Sequence, residues 1–276
     1  MSNVSPQAGT PGAEDRPQVR LAWEGDVAWI TLDRPERLNA LAGRMRDELG
    51  EALAAVAERP QTRVLVLTGA GRAFCAGADL DAMAQVLAAA DRATIAAFLR
   101  AGARVVRALR ALPCPVVAAL NGVAAGAGAS LAVACDLRIA AESAGLGFGF
   151  TRIGLHPDWG ATFFLPRLIG AGRAAELFFS GRVVGAAEAE RIGLVERVVP
   201  DADFAEAAGA FAGALAAQPP LALAAVKRTL QRAFTDTLDD ALAAEAAAQL
   251  RCFATTDVRE GVAAFRERRA AVFHGH

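Results

Sequence analysis

Two glycine-rich turns carry the residues best suited to chemistry: GRAFCAGADL, Gly71 to Leu80, and NGVAAGAGASLAVACDL, Asn121 to Leu137. Each follows an apolar run of β character and opens into helix-like sequence. Small residues at Ala76, Gly77, Ala127 and Gly128 let backbone N–H groups approach one carbonyl oxygen from two directions, and a helix N-terminus adds positive potential. Such a pair reads as the two halves of an oxyanion hole, suited to chemistry that develops an enolate. Other uses of glycine turns fit less well. A dinucleotide fingerprint needs a third glycine where helix meets strand, but Gly69 and Gly71 lead to Phe74, and Gly126 and Gly128 lead to Leu131. Neither turn has the G-K-[ST] ending of a phosphate-cradling loop. Either turn alone reads equally well as tight packing in an α/β domain; the pair favours function.

The elements that must position these turns follow from pattern. VRLAWEGDVAWITLDRP reads as a hairpin turning at Glu24-Gly25-Asp26, and Met45 to Arg59 as an amphipathic helix. Arg63 to Gly69 is a short buried strand leading to the first turn. Asp91 to Leu112 is helical, Pro113 to Leu120 is the strand leading to the second turn, and Asp136 to Glu142 is a third strand. Repeated strand, turn and helix units imply a parallel sheet covered on both faces, with sites at the carboxyl ends of its strands. From about Asp201 the strands stop, and breaks at Pro219-Pro220 and Thr255-Thr256-Asp257 divide the remainder into three or four helices whose Ala-rich faces pack on the core or on a neighbouring subunit. The chain is thus divided into a loose tail over residues 1–17, a core over 18–200 and a helical region over 201–276.

Composition excludes several classes. The chain has 276 residues, 54% hydrophobic and 21% charged, with no apolar run of about 18 residues free of charge or Gly/Pro. Lys plus Arg is 29 against 30 for Asp plus Glu, so no global charge argues for a nucleic-acid or membrane surface. Small molecules or identical subunits are the expected partners. Two of the three histidines are His274 and His276, leaving His156 as the one candidate for a Ser/His/Asp hydrolase. Cys75, Cys114, Cys135 and Cys252 have no C-x-x-C spacing or His cluster, which argues against zinc or redox chemistry and for reduced, buried thiols. The N-terminus lacks the apolar segment of a signal peptide, giving the expectation of a cytoplasmic protein.

Three segments together resemble one family. RPERLNAL (Arg34 to Leu41), AFCAGADL (Ala73 to Leu80) and the stretch from Asn121 to Gly170 fall in the order and spacing of the crotonase, or enoyl-CoA hydratase/isomerase, superfamily. The resemblance covers nearly the whole chain from about Val19. It implies an α/β fold, a spiral of ββα units with a helical C-terminal region that forms trimers, often paired into hexamers. It also implies an acyl-CoA thioester substrate and no further cofactor or metal. Carried over by residue, the family's oxyanion amides fall on Ala76 and Ala127, the latter more often Gly. The two glutamates of the hydratases fall on Ser130 and Phe150, so both carboxylates are missing. Asp158, in His156-Pro157-Asp158-Trp159-Gly160, matches the catalytic Asp of dienoyl-CoA isomerases and of the phenylacetate-pathway isomerases that rearrange a ring-epoxidised acyl-CoA, to which the segments around it are most similar.

The residues fit an isomerase better than a hydratase. Two N–H donors stabilise the enolate, and one carboxylate can remove a proton and return it at another carbon. Flanking by Trp159, Phe150 and Phe163 would raise the Asp158 pKa toward neutrality. The competing use of Asp158 is a loop cap after Pro157. Asp79 and Asp136 are further candidates, with capping as their alternative. Ser130 can hydrogen-bond substrate or water, or simply pack, and His156 is a second acid or base or a hydrogen-bonded loop residue. For the CoA portion the resemblance points to Arg34, Arg37 and Ala40 and to the turn Ala76, Gly77, Ala78 and Asp79, with Phe265 to Arg269 as a further source of positive charge. The alternatives are a hydratase working through Asp158 or a Ser130-held water, an aryl-CoA dehalogenase-like nucleophilic Asp158, and a non-catalytic acyl-CoA-binding trimer.

Overall fold

The computed structural model describes residues 16–89 and 91–276, so most of the tail assigned to residues 1–17 lies outside the described residues. Strands β1 (Val19–Glu24) and β2 (Val27–Leu32) pair antiparallel with Glu24 opposite Val27, leaving Gly25 and Asp26 as a two-residue turn. Helix α1 (Met45–Ala57) follows and buries Met45, Leu49, Leu53 and Val56, the spacing of one helical face. Next come β3 (Val64–Gly69), β4 (Ala73–Cys75), α2 (Leu80–Ala89) and α3 (Arg92–Ala111), the last capped by Asp91, which accepts from the Ala93 and Thr94 N–H groups. The pattern repeats with β5 (Val116–Leu120), β6 (Val123–Ala125) and α4 (Ala127–Ala134), and again with β7 (Leu137–Ala141), β8 (Gly145–Gly147), α5 (Ala161–Ile169) and α6 (Ala171–Ser180). Strand β9 (Val183–Gly185), helix α7 (Ala186–Arg191) and strand β10 (Arg197–Val199) complete the core. Four helices end the chain: α8 (Phe204–Ala216), α9 (Pro220–Arg232), α10 (Leu238–Phe253) and α11 (Thr256–Glu267).

The successive ββα units feed two sheets. One has the order β1-β2-β3-β5-β7-β10 and is parallel from β2 onward; the other has the order β4-β6-β8-β9. Each turn of the spiral therefore gives one long strand to the first sheet and a three-residue strand to the second. The short strands are invisible to pattern reading, because three residues carry no period.

The larger sheet is covered on both faces, as the apolar strand runs require. Leu65, Leu67, Val116, Ala118 and Leu120 point into the main core with Phe74 and Phe148. Their alternates Val64, Val66, Val117 and Ala119 meet Ala208 and Ala212 of α8, one turn apart, on the other face. The first helix beyond residue 200 is thus part of the sheet's cover.

A buried ionic group ties the later helices down. The chain's only lysine, Lys227 on α9, donates to Asp136 at 2.7 Å and to the Cys114 carbonyl at 2.8 Å. Asp136 also accepts from Arg110 at 2.7 Å and from the Val116 N–H at 2.9 Å. This settles Asp136 as a structural junction. Removing one partner of a buried pair leaves the other charge uncompensated. Lys227→Ala is therefore expected to lower unfolding free energy by about 3 kcal/mol, measured by denaturant titration; a loss below about 0.5 kcal/mol, the range of ordinary surface substitutions, would show that the staple is dispensable.

Candidate active site

The two glycine turns meet. Gly77 has φ +92°, and a Cβ there would lie 2.6 Å from the Ala125 carbonyl oxygen and 3.4 Å from the Ala127 nitrogen. Gly128 packs as closely on the end of β4, where a Cβ would sit 2.1 Å from the Cys75 oxygen. Both positions are closed to any side chain, so the turns share one short stretch of backbone contact.

Which amides remain free follows from the segment 38–41, which lies along the first turn. Leu38 and Asn39 adopt φ of 52° and 56°, and buried Asn39 holds this bend by donating to the Ala70 and Ala73 carbonyls and accepting from the Arg34 N–H. The Leu38 carbonyl then accepts from the Ala76 N–H at 2.9 Å, Leu41 donates to the Gly77 carbonyl at 2.7 Å, and the Asp79 N–H reaches the Leu41 carbonyl at 3.3 Å. The expectation that Ala76 supplies an oxyanion donor is therefore corrected: its N–H is spent. Ala78 pairs with Leu41 in a parallel bridge whose bonds run through residues 77 and 79, so the Ala78 N–H faces the opposite side and has no acceptor among the described residues. On the second turn, Gly126 donates to the Gly147 carbonyl, and Ala127 is the first residue of α4, with the orphan N–H of a helix start and no positive φ. Free amides thus come from Ala78 and Ala127.

Asp158 sits in the loop before α5. Trp159 holds a left-handed φ of 51°, a conformation costing about 1–3 kcal/mol for a bulky residue. Its indole is wedged onto α3, where a Cβ on Gly102 would meet Nε1 at 2.4 Å. That wedge fixes the loop. The Asp158 carboxyl is half-buried, its Oδ1 has no hydrogen-bond partner among the described residues, and no side chain caps α5. The loop-cap use of Asp158 is therefore not seen. Burial pushes its pKa up to about 6, opposed first by the Arg46 guanidinium and more weakly by its own N–H and His156.

Several expected site residues are otherwise employed. Ser130 is fully buried and donates back to the Gly126 carbonyl at 3.1 Å, so its hydroxyl proton braces the start of α4 and is not offered to a ligand. Phe150 is buried, and its ring tip lies 4.0 Å from the Cβ position of Gly126, closing the apolar side of the turn. Phe163 is half exposed beneath Arg167, 3.6 Å from ring centre to guanidinium. His156 is exposed, its Nδ1 2.7 Å from the Pro157 oxygen.

The positions expected for CoA divide. Arg34 is half-buried against Asp79 at 2.6 Å and also donates to the Ala40 carbonyl; Ala40 itself is buried. Asp79 caps α2 by accepting from the Asp81 and Ala82 N–H groups, and Arg34 holds its carboxyl below the usual range. Arg34 and Asp79 are thus mutual partners that set the turn. Arg37 is exposed, with the surface partner Asp81 at 3.2 Å. Arg269 is held by Glu260 and Glu267. Sequence reasoning missed Arg46, buried on α1 in the segment MRDEL, where nothing distinguishes it from a solvated helix arginine.

Comparison with known proteins places this fold in a family. The enoyl-CoA hydratase/isomerase family model matches residues 23–276. A Rhodobacter capsulatus protein called a probable enoyl-CoA hydratase is 45% identical over 258 residues, 93% of this chain and 98% of its own length. The 1,2-epoxyphenylacetyl-CoA isomerase of Escherichia coli is 42% identical over 253 residues, 91% and 96% of the two chains. The crystal structure of an enoyl-CoA hydratase from Bacillus anthracis superposes with a TM-score of 0.89 at 38% identity, covering 94% of this chain and 100% of that one. The chain belongs to the enoyl-CoA hydratase/isomerase family and has the crotonase fold.

Proposed function

We propose that this chain is an acyl-CoA isomerase that shifts a double bond, or rearranges an unsaturated acyl group, through a thioester enolate. The observation that carries the reading is Asp158: a half-buried carboxyl with an unpartnered oxygen and a pKa near 6, while Ser130 and Phe150 supply no second carboxylate. The thioester oxygen takes the free amides of Ala78 and Ala127, each such donor lowering the barrier by about 3 kcal/mol. Asp158 removes the proton from one carbon and returns it to another, which needs one carboxylate alternating between two states. Hydration asks for water activation and proton delivery together, work that two carboxylates divide. The substrate itself is the only CoA species the mechanism needs, and Arg37 offers the open cation for its phosphates.

The apolar face of α9 to α11 supports assembly from several copies, a trimer or hexamer. Phe234, Leu238, Leu250, Phe253 and Phe265 are 65–86% exposed there, more than a monomer ordinarily leaves in water. Sedimentation should give a multimer, and Phe265→Asp together with Leu250→Asp should shift it toward monomer; a wild-type monomer contradicts this.

Asp158→Asn should lose α-proton exchange with unsaturated acyl-CoAs in deuterated buffer by about 100-fold or more while still binding CoA thioesters. Unchanged exchange would remove Asp158 from the chemistry, and a 3-hydroxyacyl-CoA product would favour hydration. Wild-type exchange should rise with pH through about 6 and then level, as the carboxyl loses its proton.

Stability runs the other way. A carboxyl whose folded pKa is raised holds its proton better in the native state, so the native state loses stability as pH rises from the unfolded value near 4 to the folded value near 6. Asp158→Asn should therefore be more stable than wild type by about 2 kcal/mol at pH 7, the difference fading by pH 4 in thermal melts. Equal melting at both pH values would contradict a buried, costly charge.

A further inference from the structure

Arg46 is the buried charge that this chemistry has not used. Its side chain leaves α1 for the interior, where the guanidinium carbon lies 3.8 Å from the ring centre of Phe98 on α3 and Nη2 donates to the Leu41 carbonyl at 3.0 Å. Nε is buried with no partner among the described residues, as is Oδ1 of Asp158. Leu41 is the residue whose bridge with Ala78 turns the Ala78 N–H outward. One arginine thus touches the segment behind the first oxyanion amide and, through Phe98, packs on α3 one helical turn from Gly102, where Trp159 of the Asp158 loop is wedged.

Burying a guanidinium is costly, and a surface position was open to it one residue away on the same helix. The stacking on Phe98 and the Leu41 bond recover part of that cost but leave a donor idle. What the arrangement gains is a fixed positive charge packed on the same stretch of α3 that holds the Asp158 loop, with no ion pair to Asp158 among the described residues. A direct ion pair would hold the carboxyl ionised and occupied, unable to keep a proton between its two transfers; no charge at all would leave it protonated at neutral pH. We propose that Arg46 is a positioning residue for proton transfer, supplying the distant counter-charge of Asp158 and bracing Leu41 behind the Ala78 amide.

The inference rests on Asp158 being the proton carrier. The other titratable and charged groups facing the pair are His156 on the same loop, Asp47 on α1 and Cys75 on β4. Burial pushes the Cys75 thiol up to about 12, so it stays neutral through the working range, and Asp47 acts on Arg46 more weakly than Asp158 does.

The test is a carbon-13 titration of Asp158 in uniformly aspartate-labelled protein, its resonance assigned by its absence from Asp158→Asn. Arg46→Gln keeps a donor for Leu41 but removes the charge; Arg46→Lys keeps the charge. The Asp158 midpoint should move to higher pH in Arg46→Gln and stay close to wild type in Arg46→Lys. Proton exchange in Arg46→Gln should fall about ten-fold at pH 6 and less than about three-fold at pH 8. An unmoved midpoint in Arg46→Gln, or an equal loss at both pH values, overturns the proposal and leaves Arg46 a packing residue. Should Arg46→Gln not fold, Phe98→Leu, which frees the guanidinium from its platform, should move the midpoint the same way, and an unmoved midpoint there counts equally against it. The titration does not depend on turnover, so failure of Asp158 as the base, seen as exchange retained in Asp158→Asn, is told apart from failure of Arg46.

Discussion

Everything at the site depends on the contact between residue 77 and the backbone at 125–127. A single Cβ on Gly77 would overlap the Ala125 carbonyl, and a Cβ on Gly128 would overlap that of Cys75. The free amides of Ala78 and Ala127 lie on adjoining turns only because these two backbones touch. The two-sheet spiral delivers that contact. Each ββα unit brings a short strand of the second sheet beside the previous one, β4 next to β6 next to β8, so the turns that follow β4 and β6 are neighbours by pairing. Two amides held by paired strands need no reorganisation when charge develops on an oxygen between them.

The carboxyl is arranged on a different principle. Asp158 has been given burial with one oxygen unpartnered among the described residues, which raises its proton affinity, and a strained Trp159 that locks its loop onto α3. Both features cost stability at neutral pH. The costs are met elsewhere in the fold, by a sheet covered on both faces and by the Lys227, Asp136 and Arg110 group that anchors α9. Rigid support around a destabilised functional group is the expected division of labour in an enzyme.

Much of this was legible in sequence because it is local. The hairpin turn, the helix over Met45–Ala57, the strands leading to both glycine turns and the helical C-terminal region all follow from period and punctuation within a few residues. What was not legible depends on partners far along the chain. Choosing Ala76 over Ala78 as the donor requires knowing that residues 38–41 pair with this turn. The pairing of Arg34 with Asp79, 45 residues later, shows only once the two turns are placed together. Ser130 looks available until its hydroxyl is seen to brace Gly126, and Arg46 looks solvated until Phe98 covers it and the Leu41 carbonyl accepts from it. The second sheet escaped notice for a simpler reason, since its strands are too short to show alternation.

The central claim is that the thioester oxygen sits between the Ala78 and Ala127 amides with the acidic carbon facing Asp158. A crystal structure with a saturated acyl-CoA bound tests it most directly. The account predicts the thioester oxygen within hydrogen-bonding distance of both nitrogens, the Ala76 N–H still bonded to Leu38, and Asp158 Oδ1 turned toward the acyl carbons. A thioester oxygen bound elsewhere, or an acyl chain directed away from Asp158, would contradict it.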